Sequence, residues 1–362
     1  VLIARLTQFW NRHERWLGMA FFVGGILWDL LTLRRIDNWV DNTILLSYYL
    51  LLAGAVVAHG NLVGGVRVMP WLIRIRHWIR PAIQFLLGAL LSGLVIFYAR
   101  SITWTTGSAY WGALVIGMVA NEILLRRRVS YQALVVMLFL VGATIAGYLV
   151  PVVVGRLGLD LYRVALILAL LPAGLLVMLG VRLKAFRSHW RMVWTVMLLA
   201  VLPVLLDTAY RHNWIPPVPL AVQAGGIYET SRREGDDFVL TWRSDDFHLF
   251  RRDYGREVYW TPGDTVYAFS AVFAPTGLTE RVYHVWQQRQ GDQWVSTDRI
   301  GYSVRGGRDD GYRGVTFKSQ VRPGEWRVLV ETSDGRTLTR IPFTVIEATP
   351  ENRPQDVHVR RF

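Results

Sequence analysis

The stretch VRGGRDDGYRGVTFKSQVRPGEWRV, Val304 to Val328, gathers Arg305, Arg308, Tyr312, Arg313 and Lys318 around a carboxylate pair, Asp309 and Asp310. A guanidinium presents a planar fork of donors that matches a carboxylate or phosphate, and an adjacent aromatic ring adds a stacking face. The chemistry on offer is retention of an anion: a glycan, a lipid headgroup or the carboxylates of a partner. Two other chemistries fail on spacing. A phosphate-cradling loop ends in Gly-Lys-Ser/Thr and opens a helix, whereas this one runs into the strand-like GVTFKSQ. A calcium loop alternates acidic ligands and closes with Glu, but Asp309 and Asp310 are adjacent and Glu325 comes too late. The bland alternative is a hairpin in which Gly306, Gly307 and Gly311 take positive φ and the Asp side chains bond local backbone. Alternation along the strand places Val315 and Phe317 on one face and Thr316 and Lys318 on the other, with Lys318 pointing outward.

Other residues invite chemistry singly. His284 lies two positions before Trp286 on one strand face, which favours a hydrogen-bonded structural histidine over a general base, although it borders the binding candidates. Trp294 follows the Gly291-Asp292 turn and is a candidate exposed platform, whereas Trp326 alternates with Val328 and Val330 and reads as core. Asp29 and Glu122 fall inside apolar runs, where ionisable groups are functional candidates; Arg34, Arg35 or Arg100 would neutralise the first and Arg126 the second. Asp37 and Asp41 share a helical face in RIDNWVDN, at an outer connection. The last apolar run lacks a lysine for a Schiff base, and no Gly-x-Ser-x-Gly, His-Glu-x-x-His or paired in-span histidines occur. No catalytic or metal-binding constellation emerges, no cofactor is implied, and the expectation is that the protein is not an enzyme.

The elements that must position these residues are of two kinds. With 52% hydrophobic residues and a mean hydropathy of +0.27, part of the chain belongs in lipid. Seven apolar runs approach the roughly 20 residues that cross a bilayer: Trp16–Leu33, Thr43–Ala58, Ala82–Ala99, Ser108–Leu125, Leu134–Val154, Val164–Val181 and Met192–Leu206. The net charge of +13 resides almost wholly in arginine, since only Lys184 and Lys318 are lysines. Fourteen basic residues (Arg5, Arg12, Arg15, Arg67, Arg74, Arg76, Arg80, Arg126 to Arg128, Arg182, Lys184, Arg187, Arg191) fall on one side of the runs. Six (Arg34, Arg35, Arg100, Arg156, Arg163, Arg211) fall on the other, so the positive-inside rule sets the N-terminus in the cytoplasm and the tail outside. The charge is thereby a topology signal and not a nucleic-acid footprint. The first run has no small-residue cleavage site and reads as an anchor. GNLVGGVRVMPWLIRIRHWIRP, with Trp71 and Trp78 among its arginines, suits either a helix in the cytoplasmic interface or a plain connecting loop. Absence of cysteine excludes disulfides and thiolate metal sites.

NWIPPVPLAV, with Trp214 and three prolines, ends the membrane part, and beyond it hydrophobicity alternates with period two. The runs DTVYAFSAVF, ERVYHVWQQRQ, GVTFKSQ, EWRVLVET and TLTRIPFTVI, separated by turn signals, predict about seven or eight antiparallel strands and a β-sandwich. The expected fold is a seven-helix transmembrane bundle over residues 1–212, a proline-rich exit at 213–225, an extracytoplasmic antiparallel β-sandwich at 226–347 and a polar tail at 348–362.

VYAFSAVFAPTGLTERVYHVWQ followed by GGRDDGYRGVTFKSQVRPGEWRVLVETSDGRTLTRIPFTV resembles the bacterial family called domain of unknown function 2914, over about Pro262 to Ile346. A Tyr-His-x-Trp strand, a Gly-Gly-Arg loop, a Lys-Ser strand and a Gly-x-Trp-Arg-Val strand occur in order. The resemblance implies a small extracytoplasmic β-domain on a membrane anchor and brings no activity. The reading that results is a multi-pass protein of the bacterial inner membrane, its C-terminal domain in the periplasm, binding a partner protein or an anionic glycan or lipid. An accessory subunit of a larger membrane complex is the alternative, and a transporter or intramembrane enzyme using Asp29 or Glu122 the second.

Overall fold

The computed structural model describes residues 27, 29–31, 33, 36–66, 68–99, 101, 107–124, 130–235, 237–243, 253–254, 257–308 and 310–362. Chain contacts divide it into two compact units, one of residues 1–100, 111–146 and 166–204, the other of 101–110, 147–165 and 205–362.

Six helices lie among the described residues: α1 (Trp39–Gly64), α2 (Pro70–Ala99), α3 (Ser108–Leu124), α4 (Tyr131–Val154), α5 (Leu159–Arg182) and α6 (His189–Arg211). All but α3 are long and apolar enough to cross a membrane. The run Trp16–Leu33 lies mostly outside the described residues. Helix α1 starts where Asn38 Oδ1 accepts the Val40 amide at 3.1 Å, and stops at Gly65, whose φ of 69° only glycine adopts readily. RIDNWVDN is thus a helix start: Asn38 Nδ2 also donates to Asp41. The basic segment holding Trp71 and Trp78 is neither a loop nor a separate interfacial helix. It forms the first turns of α2, which runs unbroken through Pro81. Small residues allow close packing: a Cβ on Gly142 would meet the Tyr49 hydroxyl at 2.4 Å.

The second unit carries β1 (Ala221–Tyr228), β2 (Thr230–Glu234), β3 (Asp237–Arg243), β4 (Asp253–Tyr254), β5 (Glu257–Trp260), β6 (Val266–Phe273), β7 (Thr279–Gln290), β8 (Gln293–Arg305), β9 (Tyr312–Lys318), β10 (Gly324–Thr332), β11 (Thr337–Glu347) and β12 (Val357–Arg361). These form a four-stranded sheet β4-β1-β6-β9, a five-stranded sheet β5-β11-β10-β7-β8 and a three-stranded sheet β12-β3-β2. The count exceeds the seven or eight strands expected, and two pairs, β1 with β4 and β5 with β11, are parallel. Inward residues of the first two sheets, among them Ile227, Val266, Trp286, Trp326, Val328, Val330 and Phe343, make one core. A second core of Tyr228, Leu240, Phe269 and Ala271 draws on the four-stranded sheet and β3. The four-stranded sheet therefore has apolar residues packed on both faces. The tail, expected to be merely polar, ends in β12, which pairs with β3, and Phe362 meets Phe269 at 4.5 Å between ring centroids.

Candidate functional site

The loop that opened the sequence reading is not a hairpin. Strand β8 pairs with β7 and β9 with β6, so residues between Arg305 and Tyr312 carry the chain from one sheet to the other. Gly307 (φ 104°) and Gly311 (φ 81°) take the positive φ expected, but Gly306 does not. Its need is space, because a Cβ there would meet the Pro275 carbonyl oxygen at 1.6 Å. Asp309 lies outside the described residues.

The cationic cluster disperses. Arg305 and Arg308 are exposed, but Arg313 bonds Asp237 at 2.6 Å, and Tyr312 packs against the main core. The expected alternation holds but its direction is corrected at Lys318: it points inward, pairs with Asp298 and lies over the Trp326 ring at 5.8 Å. Thr316 is only 4% exposed, whereas Phe317 is 63% exposed. The cause is the doubly packed sheet, in which Val315 and Phe317 also have neighbours, the second core and Tyr267. Lys318 holds the Asp298 carboxyl below its usual range through their hydrogen bond.

His284 is fully buried and is corrected as a binding candidate. Its Nε2 lies 2.8 Å from Ser270 Oγ and its Nδ1 2.8 Å from Thr316 Oγ1. Ser270 Oγ meets the Tyr302 hydroxyl at 2.5 Å, and Trp286 Nε1 donates to Thr316 at 3.3 Å. A Ser–His contact of this length is what a nucleophile and its base require, but Ser270 is fully buried too, and both imidazole nitrogens are already occupied. One ring nitrogen donates and the other accepts, so the neutral ring satisfies the chain. Burial pushes the His284 pKa down to about 3.

Within the helical unit, Ser92 Oγ donates to Asp29 at 2.7 Å, and Gln84 Nε2 to Glu122 at 3.2 Å. The arginines proposed as their partners, Arg34, Arg35, Arg100 and Arg126, lie outside the described residues.

The arrangement that sequence reading missed is on the outer face of the five-stranded sheet. Residues that alternate with the core, Arg281, Tyr283, Val285 and Gln287 on β7 and Glu325, Arg327, Leu329 and Glu331 on β10, share that face with Arg299 of β8. The Arg299 guanidinium lies 3.7 Å and that of Arg281 5.7 Å from the Tyr283 ring centroid. Arg327 covers Trp294 at 4.2 Å and donates to Gln287 Oε1 at 2.7 Å. Trp294, the expected platform, is therefore half-buried beneath a cation. Among the described residues none of Arg281, Arg299 and Arg327 forms an ion pair. Burial, and secondarily the neighbouring Arg340, lowers the Arg327 pKa. Glu331 is half-buried, and its carboxyl is raised by that burial, against the pull of Arg299 and Arg340. The face can stack and hold an anion. Part of its signal was present in ERVYHVWQQRQ and EWRVLVET, whose outward positions include Arg281 and Arg327.

No curated protein matches the sequence. Among solved structures, the Pseudomonas fluorescens alkylpurine DNA glycosylase AlkC bound to abasic-site DNA is similar at 10% identity and a TM-score of 0.22, covering 85% of this chain and 99% of that one; likeness at this level carries no argument. Residues 279–345, which run from β7 into β11 and hold the arginine face, match the family described as Protein of unknown function (DUF2914), and the chain carries this family's domain there.

Proposed function

We propose that this is a non-enzymatic, membrane-anchored envelope protein whose β-domain retains an anionic partner, a glycan or the acidic surface of another protein, on the outer face of its five-stranded sheet. In this reading the first two sheets are a β-sandwich, seven helices span the bacterial inner membrane, and the sandwich stands in the periplasm. One observation carries it: Arg281, Arg299 and Arg327 are stacked on Tyr283 and Trp294 with no ion-paired carboxylate among the described residues, Glu331 acting on Arg299 only from nearby. Aromatic stacking orders a guanidinium in advance, so less freedom is lost when an anion arrives. The occlusion of His284 and Ser270 supports a binding role over hydrolysis.

The test uses the full chain in mild detergent on immobilised heparin, a sulfated-glycan probe, and on polyglutamate, a carboxylate probe. The R281Q/R299Q/R327Q variant is expected to elute at markedly lower salt than the unaltered protein on at least one column. Equal elution on both would remove the face as a binding site.

A further inference from the structure

A pocket of about 240 Å³ lies in the second unit, among Ser108 at the start of α3, His212, Asn213 and Trp214 just past α6, and Thr337 and Arg340 of β11. Arg340 forms no ion pair among the described residues. No carboxylate lines the pocket there, while hydroxyl, amide, imidazole and guanidinium groups all do.

The walls are fixed by contacts among neighbouring residues. Gly107, with φ of 77°, sits so close to Pro216 that a Cβ would lie 2.9 Å from it. Arg336 is 4% exposed; its Nε donates to Asn213 Oδ1 at 3.3 Å and its Nη2 to the Ile215 carbonyl at 2.6 Å. Its guanidinium stacks 3.5 Å from the Tyr210 ring centroid, and Tyr210 stacks on Tyr162 at 4.0 Å. Nη1 of Arg336 is left buried without an acceptor, so this cation is not quenched by a hydrogen-bonded carboxylate. Two acidic side chains act on the arginines from nearby: Asp334, exposed in the β10–β11 turn, on Arg336, and Glu331 near Arg340. The first-turn amides of α3 add positive potential at Ser108, as a supplement to the side chains.

His212 to Trp214 follow directly on α6, an apolar helix long enough to cross a membrane, and Trp214 is 61% exposed. An exposed indole beside the end of such a helix belongs at headgroup depth. We propose that the pocket binds a single phosphate group, with Arg340 as its charged ligand and His212 and Ser108 as neighbouring polar ligands. Its position favours the phosphate of a membrane lipid as the source, while free inorganic phosphate offers the same chemistry. The inference rests on α6 being a membrane span and not on the arginine face.

The test is native mass spectrometry of the full chain from mild detergent, offered phosphatidylglycerol, diacylglycerol with the same acyl chains, or inorganic phosphate. Retention of phosphatidylglycerol over diacylglycerol is expected, and R340Q should reduce it about tenfold, the equivalent of losing one charge-assisted contact. H212Q should reduce it less, and R340K should restore part of the loss. Saturable uptake of inorganic phosphate with the same R340Q loss, and no preference among the lipids, supports the phosphate site and assigns it to a soluble ligand. Equal retention by R340Q and the unaltered protein in every arm, or diacylglycerol held as well as phosphatidylglycerol with no uptake of phosphate, overturns the proposal. The R281Q/R299Q/R327Q variant should keep its lipid, which separates failure here from failure of the sheet face.

Discussion

His284 places a titratable ring where neither water nor charge is welcome. Its folded pKa of about 3 lies below the free value near 6.5, so between those limits the unfolded chain binds the extra proton. Stability from this group is complete above about pH 6.5 and is lost as pH falls toward 3, by at most about 1.4 kcal/mol per pH unit. Thermal melts of the full chain in detergent should show a steep acid limb that H284Q flattens, even if H284Q melts lower at neutral pH. Parallel limbs for the two proteins would mean that His284 is not buried neutral. The sequence displayed the pairing of His284 with Trp286 on one face, and the structural reading of the histidine followed from it. It could not display Ser270, Tyr302 and Thr316, which reach the ring from other strands. Lys318 was misread for a related reason. Charge alone favours an outward lysine, but its ammonium lies over the Trp326 ring and finds Asp298.

Strand identity was legible wherever one face met solvent. In β7 and β10 the core residues Val282, His284 and Trp286, and Trp326, Val328 and Val330, alternate with positions that are mostly polar, Val285 and Leu329 excepted, and the inward placement of Trp326 was readable from that. Strand β9 belongs to a sheet packed on both sides, so GVTFKSQ has no polar face to declare its orientation. Helix α2 shows the converse failure. A charged segment and an apolar one differ in composition, yet they continue as one helix because Pro81 does not interrupt it. The tail was illegible because its pairing is non-local: VHVRRF gains meaning only beside β3, more than a hundred residues earlier. Phe362 exchanges backbone hydrogen bonds of 3.0 Å in both directions with Phe238 and covers Phe269. Deleting 348–362 removes a strand and a packed aromatic ring, the latter alone a loss of roughly 3–5 kcal/mol when fully buried. Phe362 is half-buried, so the lower end is expected. The deletion should lower the melting temperature and admit protease between Glu229 and Arg243; an unchanged melt and digestion pattern would make β12 an ornament of the sheet edge.

At the scale of the whole molecule the main question is which side of the membrane the β-unit occupies. The proposed placement of the tail outside rests on the fourteen-to-six division of basic residues, because cytoplasmic loops retain arginine and lysine. Contacts on the poorer side sharpen the contrast. Arg156 bonds Asp160 at 2.5 Å, and Arg163 and Arg211 share Asp207 at 3.0 and 2.9 Å, so all three cations of that side among the described residues are paired in place. Their partners Asp160 and Asp207 lie in the first turn of α5 and near the end of α6. An alkaline phosphatase reporter, active only outside the cytoplasm, should work when fused after Phe362 and fail when inserted at Arg126 to Arg128. A green fluorescent reporter should give the reverse pattern. If the phosphatase instead works only at Arg126 to Arg128, the β-unit is cytoplasmic. The phosphate pocket would then face the inner leaflet, and a periplasmic glycan would leave the set of partners open to the arginine face.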